Sequence, residues 1–237
     1  YTGQGLLEIS GNTSQKVSHY GQDVQSVLID GWGPKYIRGT INISGSLHLK
    51  QGIVHIAPGD ELHLKENAVV SGGHDASFVD GAITATGTGY KFFPVGKNGT
   101  YAPIEFLNVK GDLATYSVEA FEDAPAVSVE NVIVRRALYW HRRDVVGDFG
   151  GSAVAIGFDR SPYADPKNIM LVNGTDWDEP FMAVTDIQHS TETHKISTSR
   201  EIVAPLLLLG EISESWNESD LYFSTALSPH AAHAENR

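Results

Sequence analysis

The chain has 237 residues and a formal net charge of −12, from 17 Lys+Arg against 29 Asp+Glu, with 24 glycines and no cysteine. At 41% hydrophobic and 19% charged it buries a real core and is neither a disordered acidic tail nor a coiled coil. The acidic balance argues against nucleic acid as a partner, and the missing cysteine removes disulfides, thiolate metal sites and a cysteine nucleophile.

Tyr1 is not an initiator methionine and no charged and then apolar leader is visible, so the chain reads as a processed product or a piece of something longer. Whether the first 37 residues belong to this module is open at this level. Over 38–50, Ile41 and Ile43 and then Leu47 and Leu49 share one face, Asn42, Ser44, Ser46 and His48 the other, with a break at Gly45. Leu47-His48-Leu49-Lys50 recurs as Leu62-His63-Leu64-Lys65, a shift of 15 residues. Such self-similarity fits stacked equivalent strands; an antiparallel meander in which two strands share a pattern fits as well. The stretch 72–91 is rich in Gly, Ser, Thr and Ala, which supply turns and close approach. Asn98-Gly99 between two apolar segments predicts a tight hairpin.

From 107 to 210, short strand-like runs recur between turns, among them Val127/Val129, Val132–Val134 and Ala153–Phe158, as in a sandwich of two packed sheets. The longest apolar run, Ala204–Leu209, contains Pro205 and is far short of the roughly 20 residues that cross a bilayer. It reads as a buried strand, and no membrane-spanning segment is expected. The expected fold is therefore all-β: a stacked, β-solenoid-like region over 1–106, a β-sandwich over 107–210, and a polar tail or linker over 211–237.

Candidate chemistry is sparse. His48 and His63 hold equivalent places in the repeat, with His55 between them, and if the copies stack they approach within about 5 Å on an outer face. Outward polar strand positions are the plainer reading. Asp176, Asp178 and Glu179 follow Asn173-Gly174 in one turn, an oxygen-rich set suited to Ca²⁺ but without the spacing of an EF-hand or a calcium-binding nonapeptide repeat. Apart from that set no metal or cofactor is expected. Tyr139-Trp140-His141-Arg142-Arg143-Asp144, with Arg135 and Arg136, is the densest cluster of reactive residue types. Alternation puts Leu138 and Trp140 on one face and Tyr139 and His141 on the other. That makes Trp140 an inter-sheet anchor and the arginines surface cations. Tyr90, Tyr101, Tyr139, Tyr163 and Trp177 are candidates for a sugar platform. Five Asn-x-Ser/Thr sequons occur, at Asn12, Asn42, Asn98, Asn173 and Asn217. No serine-hydrolase elbow, P-loop or zinc-protease motif is present.

Ser77-Phe78-Val79-Asp80-Gly81, followed by Phe93-Pro94-Val95-Gly96, Gly99, Tyr101 and Pro103, resembles a pattern in β-rich modules of large surface and secreted proteins of gliding, Bacteroidetes-type bacteria, many exported by the type IX route. Leu138-Tyr139-Trp140, Trp177 and Pro205–Gly210 stand where that family carries its later aromatic and closing strands; the resemblance spans roughly 38–210. Ala102 and Leu138 replace residues that are commonly basic there. The resemblance implies an extracellular location and a non-enzymatic role in adhesion, spacing or assembly, with other modules of the same polypeptide, surface proteins or glycans as partners. Two other readings stay open: a carbohydrate-binding module, and a fragment of a polysaccharide-processing β-helix enzyme using the basic cluster near 141–144.

Overall fold

The computed structural model describes residues 3–158, 165–190 and 192–213. Alternation of apolar and polar side chains organises the first half. Strands β1 (Gly3–Ile9), β2 (Gln15–Ile29) and β3 (Lys35–Leu49) run parallel, and β3 is long enough to serve three further neighbours in turn. Its first residues pair with β4 (Val54–Ile56), its middle with β5 (Glu61–Leu64) and its end with β6 (Val69–Gly72), all parallel. Then β7 (Val79–Asp80) lies on β4 and β8 (Ile83–Thr86) on β5. Each coil thus contributes three segments. Inward residues stand above one another in columns: Leu7, Val27, Leu47 and Val70 in one, Ile41, Leu62 and Ile83 in another. Burying these columns holds the coils together, and the result is a β-solenoid.

The stacking interval is not the one the repeat suggested. Ile37 pairs with Ile56, Ile41 with Leu62 and Leu47 with Val70, intervals of 19, 21 and 23 residues. The two Leu-His-Leu-Lys copies instead lie on different sides of consecutive coils, the first ending β3 and the second forming β5. Two inward leucines around one outward histidine satisfy any inward–outward segment, so the pattern recurs without marking a rung. Residues 3–37 form the first coils of this stack.

The chain leaves the solenoid through β9 (Gly89–Phe93), β10 (Val95–Lys97) and β11 (Thr100–Tyr101). β10 continues the parallel stack on β7, and Asn98-Gly99, with φ of 47° and 87°, turns it back antiparallel into β11 as predicted. The remaining strands are β12 (Ile104–Val109), β13 (Thr115–Glu122), β14 (Val132–Val146), β15 (Val154–Gly157), β16 (Ile169–Gly174), β17 (Met182–Val184), β18 (Ile187–Ser190), β19 (Lys195–Thr198) and β20 (Leu206–Ile212). The solenoid sheet goes on antiparallel through β8-β13-β14-β20-β16-β17, while β18-β19-β15-β12-β9 forms a second sheet. The all-leucine run Leu206–Leu209 is the buried strand expected, lying between β14 and β16.

The two sheets pack through an aromatic cluster. Phe93 and Phe106 from the second sheet meet Tyr116 from the first, with ring centroids 5.6–6.0 Å apart, and Phe149 closes the group at 5.1 Å from Tyr116. Trp140 is the expected inter-sheet anchor: its indole N–H donates to the Ala102 carbonyl at 2.8 Å. One core runs from Ile9 to Leu209, and β12 spans residue 106, where the sequence suggested a division. Val127 and Val129 belong to no named strand; they pack on a smaller cluster of Val172, Phe181 and Leu208 on the opposite face of the sheet. Opposite β20, β14 passes from Arg135 (facing Leu209) to Tyr139 (facing Leu208), so 136–138 bulge out of the ladder. Among the described residues no helix is long and apolar enough to cross a membrane.

Candidate functional site

The turn after β6, the β10–β11 hairpin and the second sheet enclose a cleft of about 720 Å³. Local sequence explains its walls. Phe78 is fully buried and its ring supports that of Tyr101, centroids 6.0 Å apart. Gly96 permits this, because a Cβ there would fall 2.6 Å from the Phe78 ring. The Asn98-Gly99 turn then delivers Tyr101 to the cleft, and Pro103 follows it. The motif residues Phe78, Gly96, Gly99, Tyr101 and Pro103 therefore build one wall. The facing side holds Phe158, stacked on His194 with centroids 6.4 Å apart, and His194 itself takes a left-handed φ of 50°.

Polar groups fringe these rings. Asp75 stands on the solenoid side, Thr193 and Lys195 on the sheet side. The Lys195 ammonium is held by Glu105, which also accepts from the Tyr90 hydroxyl at 2.8 Å. Burial, with the nearby Glu105 and Asp75 charges, pushes the Tyr101 phenol well above its ordinary range, so it remains a neutral donor and acceptor. The cleft thus offers ring faces, a neutral hydroxyl, a carboxylate and an imidazole. Such groups are able to stack on and hydrogen-bond a polyhydroxylated molecule.

The other sequence candidates are placed elsewhere. His48 hydrogen-bonds Ser46 at 2.7 Å and Ser71 at 2.6 Å, whereas His63 bonds Thr86 at 2.7 Å; stacking does not bring the two imidazoles together. His55 stacks on Tyr36 at 4.9 Å and faces Asp80. Asp176, Asp178 and Glu179 lie exposed in the turn after β16, where the Asp176 carboxylate accepts from the Trp177 amide at 2.6 Å. No group of three or more His, Asp or Glu that could hold a metal ion occurs among the described residues.

Arg142 is a correction. It is not a surface cation but 6% exposed: its guanidinium chelates Asp144 at 2.9 and 3.2 Å, donates to the Val203 carbonyl and lies 3.7 Å from the Phe149 ring centre. It shares Trp140's parity on β14, so alternation carried the signal. Arg135 pairs with Glu211, and exposed Arg143 sits over Phe121 at 5.5 Å. Tyr139 and Trp177 are engaged in packing, edge to face at 5.0 Å, with Phe121 stacked on Tyr139 and Phe181 on Trp177. The sequon side chains of Asn12, Asn42, Asn98 and Asn173 are engaged in hydrogen bonds. Tyr163, Asn217 and the tail beyond 213 lie outside the described residues.

Sequence reasoning missed Asp75, Phe158 and His194, which only the tertiary fold brings together. It also missed a charge ladder across solenoid and sandwich, in which Lys97 reaches Asp80 at 3.2 Å and Glu119 at 3.5 Å. Comparison with protein-family models, with curated proteins and with solved structures finds no match to this chain.

Proposed function

We propose that this chain is a non-enzymatic adhesive module of a larger surface or secreted protein, and that the cleft beside Tyr101 is where it holds a glycan. The observation that carries this reading is the pairing of a ring-lined, polar-fringed cleft with a stiff stacked scaffold. Tyr101 is seated on the fully buried Phe78, so its ring is presented with little freedom left to lose on binding. The solenoid supports the spacing part of the role, since its coils are fixed by continuous backbone pairing. The resemblance to exported surface modules supports the extracellular setting.

A glycan array followed by calorimetry on a captured sugar tests this. Saturable binding is expected, weakened about tenfold or more by Tyr101→Ala and by Phe158→Ala, and unchanged by Trp32→Ala, whose exposed ring lies outside the cleft. Absence of binding across the array, or binding indifferent to both cleft substitutions, overturns the glycan reading.

A further inference from the structure

Next to the cleft lies a second, smaller space of about 240 Å³, and the two share Thr100, Tyr101, Gly157 and Phe158 in their walls. The β14 bulge gives this second space its room. Where 136–138 leave the β20 ladder, Ala137 and Leu138 border a space floored by Trp140 and Leu209. Apart from Arg135, paired with Glu211, and Arg136, whose Nε–H donates to the Ala124 carbonyl, its lining is apolar: the Trp140 indole N–H is already committed to the Ala102 carbonyl, so the ring offers the space only carbon surface. A bulge that re-aims side chains beside a cavity is a frequent companion of binding sites.

We infer that the ligand is an amphiphilic saccharide: a sugar in the outer cleft whose acyl or alkyl substituent enters the second space. This rests on the glycan reading of the outer cleft and names the class of glycan. At about 30 Å³ per water-sized group, that smaller volume holds a chain of roughly eight carbons. Tyr101 and Phe158 line both spaces, so a sugar on either ring lies next to the apolar one. Asp75, Thr193 and Lys195 border the outer cleft, whereas the polar groups of the second space are the Arg135 and Arg136 guanidinium groups, already engaged by Glu211 and the Ala124 carbonyl, so the two halves of the ligand meet different linings.

The test is calorimetry of the full chain with methyl, butyl, hexyl and octyl β-glucosides and β-galactosides, each below its micelle concentration, with octanoate as the chain alone. Affinity is expected to rise about two- to fourfold per carbon and to level off near eight carbons. Ala137→Trp, on an exposed bulge residue, is expected to bring the octyl affinity down to the methyl value while leaving methyl binding in place. If that variant fails to fold, Leu138→Phe fills the same space. A change in Trp140 emission with octyl but not methyl glycosides reads chain entry in the unaltered protein. Equal affinity for methyl and octyl glycosides overturns this inference and leaves the glycan reading standing. Octanoate binding as tightly as octyl glycoside removes the sugar's part and overturns this inference, as does absence of binding by every glycoside; the glycan reading itself stands or falls with the array.

Discussion

The hydroxyl of Tyr116 is buried beside Phe93, Phe106 and Phe149 and has no hydrogen-bond partner among the described residues. A buried unsatisfied hydroxyl costs about 1–3 kcal/mol, so Tyr116→Phe, which keeps the ring, is expected to stabilise the fold by about 1 kcal/mol. In a chain of this size that raises the midpoint of thermal unfolding by about 2–4 °C, measurable by circular dichroism. An unchanged or lowered midpoint defeats this account. Lys35 meets the same problem differently. It is fully buried, but its ammonium donates to the carbonyls of Gly11, Gly31 and Gly33, tying successive corners of the solenoid together. Lys91 likewise reaches the Glu66 carbonyl at 2.6 Å. Burial lowers the pKa of both lysines, and the carbonyl bonds compensate for lost water.

The β10–β11 hairpin links local sequence to the cleft. Gly99 sits at φ 87°, a conformation that an alanine adopts only under strain. Gly99→Ala is expected to cost about 1 kcal/mol and, by shifting Tyr101, to weaken ligand capture by more than that stability loss alone explains. Thermal melts and calorimetry on the same variant separate the two effects. At this scale much was legible: inward Ile41, Ile43, Leu47 and Leu49, the Asn-Gly turn and the Leu206–Leu209 strand follow from alternation and turn chemistry. The 136–138 bulge was not, because Arg136, Ala137 and Leu138 carry no turn residue to mark where β14 leaves β20. The stacking interval was hidden because β4, β5 and β6 are separate short strands along one coil, with intervals that vary from side to side.

A continuous core joins solenoid and sandwich, and the two are expected to unfold as one cooperative unit. β9 packs against β6 of the solenoid and is the edge strand of the second sheet, and its Phe93 belongs to the core that the solenoid residues share. Ile41→Ala in the solenoid and Phe106→Ala in the sandwich are expected to lower a single unfolding transition, by about 2–5 and 3–5 kcal/mol. Two separate transitions, each moved by only one substitution, would count against a shared core. The candidate site belongs to this scale as well. Asp75, Phe158 and His194 are far apart in sequence and follow no shared period, whereas Tyr101 was already among the aromatic candidates. The motif showed half of the cleft, and the closing of the second sheet supplied the other half.

Three cations, Lys35, Lys91 and Arg142, are buried among the described residues, but only one acid, Glu211. The buried charges of the described residues therefore sum to +2, within a chain whose formal net charge is −12. That net charge sets up a negative potential that repels other anions at low ionic strength and fades as salt shortens the Debye length. Uronate-rich or sulfated polymers meet that barrier before they reach the cleft, and neutral saccharides do not. On the proposed glycan reading, the field around the molecule would screen ligands by charge before the rings select them by shape.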